Sequence, residues 1–149
     1  MIDNIFFKAC DGDFEGVKNY ILYADKETGK SHDINERESD GGTILHAAIL
    51  GLHYNIVEFL LDHGANCNLY NEWGVTPLHR AILEGYTEER KIIGEKIALL
   101  LISHGSELFS YYKNEYNEMS LGVLYPFAKK RGYEEVVKIM EKRKATKIL

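Results

Sequence analysis

The chain is poor in the residues and patterns that carry chemistry. Its 149 residues include two cysteines, Cys10 and Cys67, and one tryptophan, Trp73. Neither cysteine has the paired spacing of a zinc site. Both stand at small or apolar positions, which suits inert buried thiols better than a disulfide or a reactive group. His-Glu-x-x-His and Gly-x-Ser-x-Gly are missing, so metalloprotease and nucleophile-elbow hydrolase chemistry has no foothold. Asp40-Gly41-Gly42 lacks the lysine and threonine context of a phosphate-cradling loop and reads as a hairpin tip. No apolar run approaches the roughly 20 residues that span a bilayer, the longest being the one that ends at Ile102. No charged-then-apolar leader opens the chain. The expectation is a cytoplasmic protein with no membrane partner, no metal, no cofactor and no enzymatic activity.

Charge is scarce in the positive sense over most of the length. Residues 1–40 carry ten acidic side chains against five basic, residues 41–119 ten against five, and residues 120–149 three against eight. The basic end, Lys142-Arg143-Lys144 through Lys147, reads as a solvated helix terminus whose cations suit the negative end of the helix dipole. A nucleic-acid arm is the sharper alternative. An acidic body repels phosphate, however, and no interleaving of aromatic and basic residues supports that reading. With 45% apolar residues the chain has enough for one elongated core and too little for two.

What the chain does have is repetition. Gly42-Thr43-Ile44-Leu45-His46-Ala47-Ala48 and Val75-Thr76-Pro77-Leu78-His79-Arg80-Ala81 place threonine, leucine, histidine and alanine in the same order one repeat apart. Each signature is followed by a polar break and an apolar run, Ile56–Leu61 and Ile97–Ile102, which ends in His63-Gly64 or His104-Gly105. Threonine caps a helix by accepting from first-turn amides, proline suits the first helical position, and glycine adopts the left-handed conformation that stops a helix. Each unit therefore reads helix, turn, helix, stop, loop. A unit of this kind has an apolar face that only a stacked neighbour covers.

This pattern resembles the ankyrin repeat family. Phe6–Leu22 is similar to an amino-terminal cap unit, and Phe127–Met140 repeats the Ala-x-x-x-Gly and Val-Val-x-Ile-Met spacing of a terminal one. The resemblance implies an all-α solenoid of stacked antiparallel helix pairs with hairpin-like loops. It reads as a single domain over residues 1–149: a cap unit at 4–33, repeats at 34–66 and 67–107, and a long loop with a terminal cap at 108–149. Insertions are expected at 25–31, as a charged surface excursion, and at 87–94, as a helix extension at the end opposite the tips. Leu52 falls where the family has glycine, with Gly51 one residue early, which leaves the turn between 50 and 53 undetermined. His46 and His79 recur at repeat spacing, and the resemblance gives them a structural duty, bonding to neighbouring turns.

In the family, loop tips and the exposed side of each first helix line a concave groove that binds proteins. The matching tip positions are Arg37, Ser39, Asp40 and Gly42, then Tyr70, Glu72, Trp73 and Val75. On the first helices they are Leu50, Leu83 and Glu84, with Lys130 and Arg131 in the last unit. Trp73 stands out because the fold does not require an indole at a tip, and tryptophan is enriched among the contacts that dominate interfaces. The alternative is that it folds down onto the adjacent tip. The tyrosine-rich segment after Glu107, with Tyr111, Tyr112 and Tyr116, suits a binding loop, or else a cover for the last repeat.

The resemblance thus implies a module that binds another protein; the expectation is a monomer, with a basic partner surface suggested by the acidic body, that serves either as a plain binder or as a stoichiometric inhibitor. Small stand-alone ankyrin proteins resemble bacterial immunity proteins that neutralise toxins, and host-directed proteins of viruses and intracellular bacteria. Self-assembly end to end is the structural alternative.

Overall fold

The computed structural model describes residues 4–108, 111–113, 119–121 and 124–147. Eight helices occur among the described residues: α1 (Ile5–Asp11), α2 (Phe14–Leu22), α3 (Ile44–Leu50), α4 (Tyr54–Asp62), α5 (Pro77–Leu83), α6 (Glu88–Ser103), α7 (Leu124–Arg131) and α8 (Glu134–Lys147). They form four antiparallel pairs. The first helices pack in series, α1 on α3 on α5 on α7, and the second helices α2, α4, α6 and α8 form a parallel row behind them. Val17, Ile44, Ile49, Ile56, Leu60, Ile82, Ile97 and Leu101 fill the space between the rows and are fully buried.

The two signatures start equivalent helices, as their spacing requires. Thr43 and Thr76 are N-cap residues with extended backbone, and each forms a reciprocal capping box with the histidine three residues on. The main-chain N–H of Thr43 donates to His46 Nδ1 at 3.1 Å, so the ring's other nitrogen carries the proton and donates to Val75 O at 2.8 Å. One imidazole therefore closes its own helix and ties it to the loop of the next repeat. The apolar runs of α4 and α6 stop at Gly64 and Gly105, both left-handed, with φ of 90° and 93°.

The doubtful turn is resolved in an uncommon way. Gly51 keeps right-handed helical geometry, and Leu52 takes the left-handed one at φ 55°, the only non-glycine residue to do so among those described. Leu52 is buried, so apolar contact offsets a backbone cost of about 1 kcal/mol.

The 87–94 insertion lengthens α6 to 16 residues, against 9 in α4. Within it Gly94 leaves room for Tyr133, a fully buried ring whose hydroxyl donates to Ala81 O at 2.8 Å. A Cβ at Gly85 or Gly94 would stand 2.0 or 2.1 Å from that hydroxyl. The 25–31 excursion is a turn, exposed apart from the partly covered Asp25, whose carboxylate accepts from Glu27 N and Thr28 N. The segment read as a long loop contains a short antiparallel hairpin, β1 (Tyr111–Lys113) with β2 (Met119–Leu121), in which Tyr112 pairs with Ser120. No helix is long and apolar enough to cross a membrane among the described residues.

Candidate functional site

The loop tips are knitted to one another before they present anything outward. In the first, Arg37 bridges to Thr43 and Asp40 Oδ1 accepts from Gly42 N at 2.7 Å. The Arg37 guanidinium then donates to Gly41 O at 3.0 Å and across to Tyr70 O at 2.8 Å, while Glu72 N donates to Asp40 O at 2.9 Å. In the second tip the buried Asn71 folds the chain over itself, its Oδ1 accepting from Trp73 N at 3.1 Å and Val75 N at 3.0 Å. These bonds use up the local polar groups and leave Tyr70 and Trp73 outside, 63% and 55% exposed. Trp73 does not fold flat onto its neighbour.

Behind Trp73 lies a largely apolar cavity of about 440 Å³, walled by Trp73, Val75, Ile82, Leu83, Leu124 and Phe127, with His79 also in its lining. It is open to solvent between the second tip, α5 and α7. Further along the row, α1 exposes Phe7 and α3 exposes Leu50. Phe7 and Phe127 were not among the residues read as groove-forming. The signal for Phe127 was available, since it stands three residues ahead of Lys130 on α7, as Arg80 stands three ahead of Leu83 on α5.

Glu84, read as a groove residue, is buried at 8% exposure. Its carboxylate meets Arg90 at 3.0 Å and Arg80 at 3.4 Å. The reason is the insertion: Arg90 comes back from the start of α6 and also donates to Glu84 O and Leu50 O, at 3.0 and 3.2 Å. A carboxylate held between two guanidiniums is costly to unpair and poorly placed to meet a partner. Of the other positions, Arg37, Ser39, Leu50, Glu72 and Lys130 are exposed, Asp40, Val75, Leu83 and Arg131 partly covered, and Gly42 buried. Arg131 donates to Leu83 O at 3.3 Å. Tyr111 and Tyr112 fall in β1, and Tyr116 lies outside the described residues.

His46 and His79 are poor bases. Burial pushes the His79 pKa from 6.5 to about 4, and burial also lowers that of His46, against the opposing effect of its bond to Val75. Burial likewise raises the Cys10 thiol pKa, and Cys67 is buried. Among the described residues no three histidine, cysteine or acidic side chains gather as a metal site. What the arrangement offers is contact area: one aromatic tip, an apolar cavity and a row of exposed apolar side chains on the helices.

Comparison with known proteins fits this geometry. A family model described as "Ankyrin repeats (3 copies)" matches residues 5–111. The chain is 35% identical over 100 residues to the mouse RelA-associated inhibitor, covering 67% of this chain and 11% of that protein. It is 33% identical over 92 residues to human BCL-6 corepressor-like protein 1, covering 62% and 5%. With an ankyrin repeat protein of fowlpox virus (strain NVSL) it shares 26% over 117 residues, covering 78% and 15%. The chain thus spans only a small part of each relative. Among solved structures, the ankyrin repeat domain of human ASB11 aligns with a TM-score of 0.65 at 23% identity, over 93% of this chain and 53% of that one. A chain from the complex of the Bd0816 predatory endopeptidase of Bdellovibrio bacteriovorus with immunity protein Bd3460 aligns with a TM-score of 0.67 at 24% identity, over 93% and 64%. At these identities the likeness concerns the fold.

Proposed function

The chain belongs to the ankyrin repeat family, and from that premise we propose that it is a protein-binding module which grips its partner through the tips and the concave row, without chemistry of its own, and acts by occupying the partner stoichiometrically. The observation that carries this reading is Trp73, held 55% exposed at the mouth of an apolar cavity by backbone bonds that would serve equally well under a small residue. A large indole kept in water by a rigid loop gains its free energy from a second molecule. The acidic side chains of the N-terminal half, Asp40 and Glu72 at the tips among them, favour a basic surface where the partner faces that half, which would speed capture more than tighten it.

The test is affinity capture from an extract of the source cells with the wild type and with Trp73→Ala. Removing an interfacial tryptophan costs about 2 kcal/mol or more, roughly thirtyfold in affinity, so the captured partner should be lost from the variant while its helical circular dichroism is unchanged. Equal capture by both proteins removes Trp73 from the site.

A second reading, neutralisation of a toxin, is favoured by the structural neighbour found in an endopeptidase–immunity protein complex. It requires the captured partner to be an enzyme whose activity falls to nothing at one equivalent of this chain. End-to-end self-assembly would instead give a molecular mass that rises with concentration in light scattering, and a constant monomer mass eliminates it.

A further inference from the structure

The geometry points to a more specific ligand chemistry for the C-terminal half of the groove, resting on the binding-module reading above: the cavity behind Trp73 takes a bulky apolar side chain from a partner segment whose flanking residues are acidic. The two halves of the groove differ in charge sign although the chain as a whole is acidic. The last helix of the groove row, α7, carries three basic side chains and no acidic one, in the consecutive run Lys129-Lys130-Arg131.

Two of these cations adjoin residues that line the cavity. Lys130 stands one turn beyond Phe127 on α7, a lining residue, and is exposed. Arg131 reaches across to the carbonyl of Leu83, another lining residue, at 3.3 Å. On α5, Arg80 lies one turn before Leu83, and Glu84, the carboxylate that follows this helix, is held by Arg80 and Arg90. The floor is apolar, since Ile82 and Leu124 contribute side chains 1% and 2% exposed. An apolar anchor fits the cavity, and carboxylates beside it meet Lys130 and Arg131. Acids at the anchor's flanks also stay clear of the N-terminal tips, where Asp40 would repel them. The sign change along the groove therefore fixes where along it such a segment lies.

Trp73 is the chain's sole tryptophan and lines the cavity, so occupancy is read directly from its emission. The probes are three dodecapeptides with a central Leu-Phe pair flanked by glutamate, by lysine or by glutamine. The glutamate peptide is expected to shift the emission to shorter wavelength saturably, with affinity about tenfold above the glutamine peptide. That preference should be lost between about 0.05 and about 0.5 M salt, where screening shortens the reach of exposed charges. The exposed Lys130→Glu variant should fold normally and bind the glutamate peptide about tenfold more weakly, while gaining affinity for the lysine peptide. Preference for the lysine peptide, equal binding of all three, or no saturable shift with any of them overturns the proposal. If no peptide binds while a captured partner still depends on Trp73, the anchor chemistry falls and the binding-module reading stands.

Discussion

Replacing His79 with glutamine separates a structural histidine from a functional one through the pH dependence of stability. His79 is buried, its Nδ1 sits 2.8 Å from Thr76 Oγ1, and burial lowers its pKa from 6.5 to about 4. A histidine whose folded pKa is depressed binds its proton more readily when unfolded. Its contribution is therefore complete well above the unfolded pKa and is lost as the pH falls towards the folded one. Between about pH 7.5 and about pH 5.5 the loss from His79 alone is about 1.3 kcal/mol, at about 1.4 kcal/mol per pKa unit. With a urea dependence of about 2 kcal/mol per molar, that moves the unfolding midpoint down by about 0.6 M. Carboxylates scarcely titrate in that interval. Glutamine keeps an acceptor for the Thr76 amide in the capping box but has no proton to gain, so His79→Gln should start less stable at about pH 7.5 and fall less steeply. Urea unfolding of both proteins at the two pH values measures the difference in slope, and His46→Gln should flatten the profile in the same sense. A wild-type midpoint that does not move, or a variant midpoint that falls in parallel with it, would refute the assignment of these rings as neutral, desolvated struts.

Three further substitutions probe the packing that presents the site. Tyr133→Phe removes the donor to the Ala81 carbonyl, which lies in the last turn of α5 where intrahelical donors run out, and should cost about 1–2 kcal/mol in urea unfolding. Gly94→Ala pushes a methyl into the Tyr133 hydroxyl and should cost about 2 kcal/mol, less in a Tyr133→Phe background; a double-mutant cycle showing strict additivity would contradict the contact. Leu52→Gly relieves about 1 kcal/mol of left-handed backbone strain but forfeits a buried side chain worth about 2–3 kcal/mol, so thermal unfolding should show net destabilisation, and a more stable variant would mean that the backbone dominates.

The parts of this structure readable from sequence are those fixed by neighbours a few residues away. Thr43 with His46 and Thr76 with His79 cap helices through bonds spanning three residues, and Gly64 and Gly105 stop them locally, so spacing alone places these features. Leu52 was legible as an irregularity but not in its outcome, because a leucine in left-handed geometry is tolerated only where the core rewards its side chain. Glu84 was misplaced for a different reason. Its burial depends on where the 87–94 insertion returns, and no local pattern tells that Arg90 lands on both the carboxylate and the Leu50 carbonyl. The cavity behind Trp73 was invisible as well, since its walls come from the second tip, α5 and α7, and the direction of the indole is set by Asn71 accepting from the amides on either side of the tip.

The notch formed by Gly85 and Gly94 and filled by Tyr133 makes the last helix pair a matched fitting, as Gly12 and Gly51 around His53 do at the first joint. Repeat proteins diversify by shuffling units, and a unit that closes such a notch cannot be traded alone. The terminal pair shows why. Grafted onto a stack that carries alanine in the notch it would jam, and a generic terminal unit grafted here would leave the slot hollow, so the third and fourth units are bound to be inherited together.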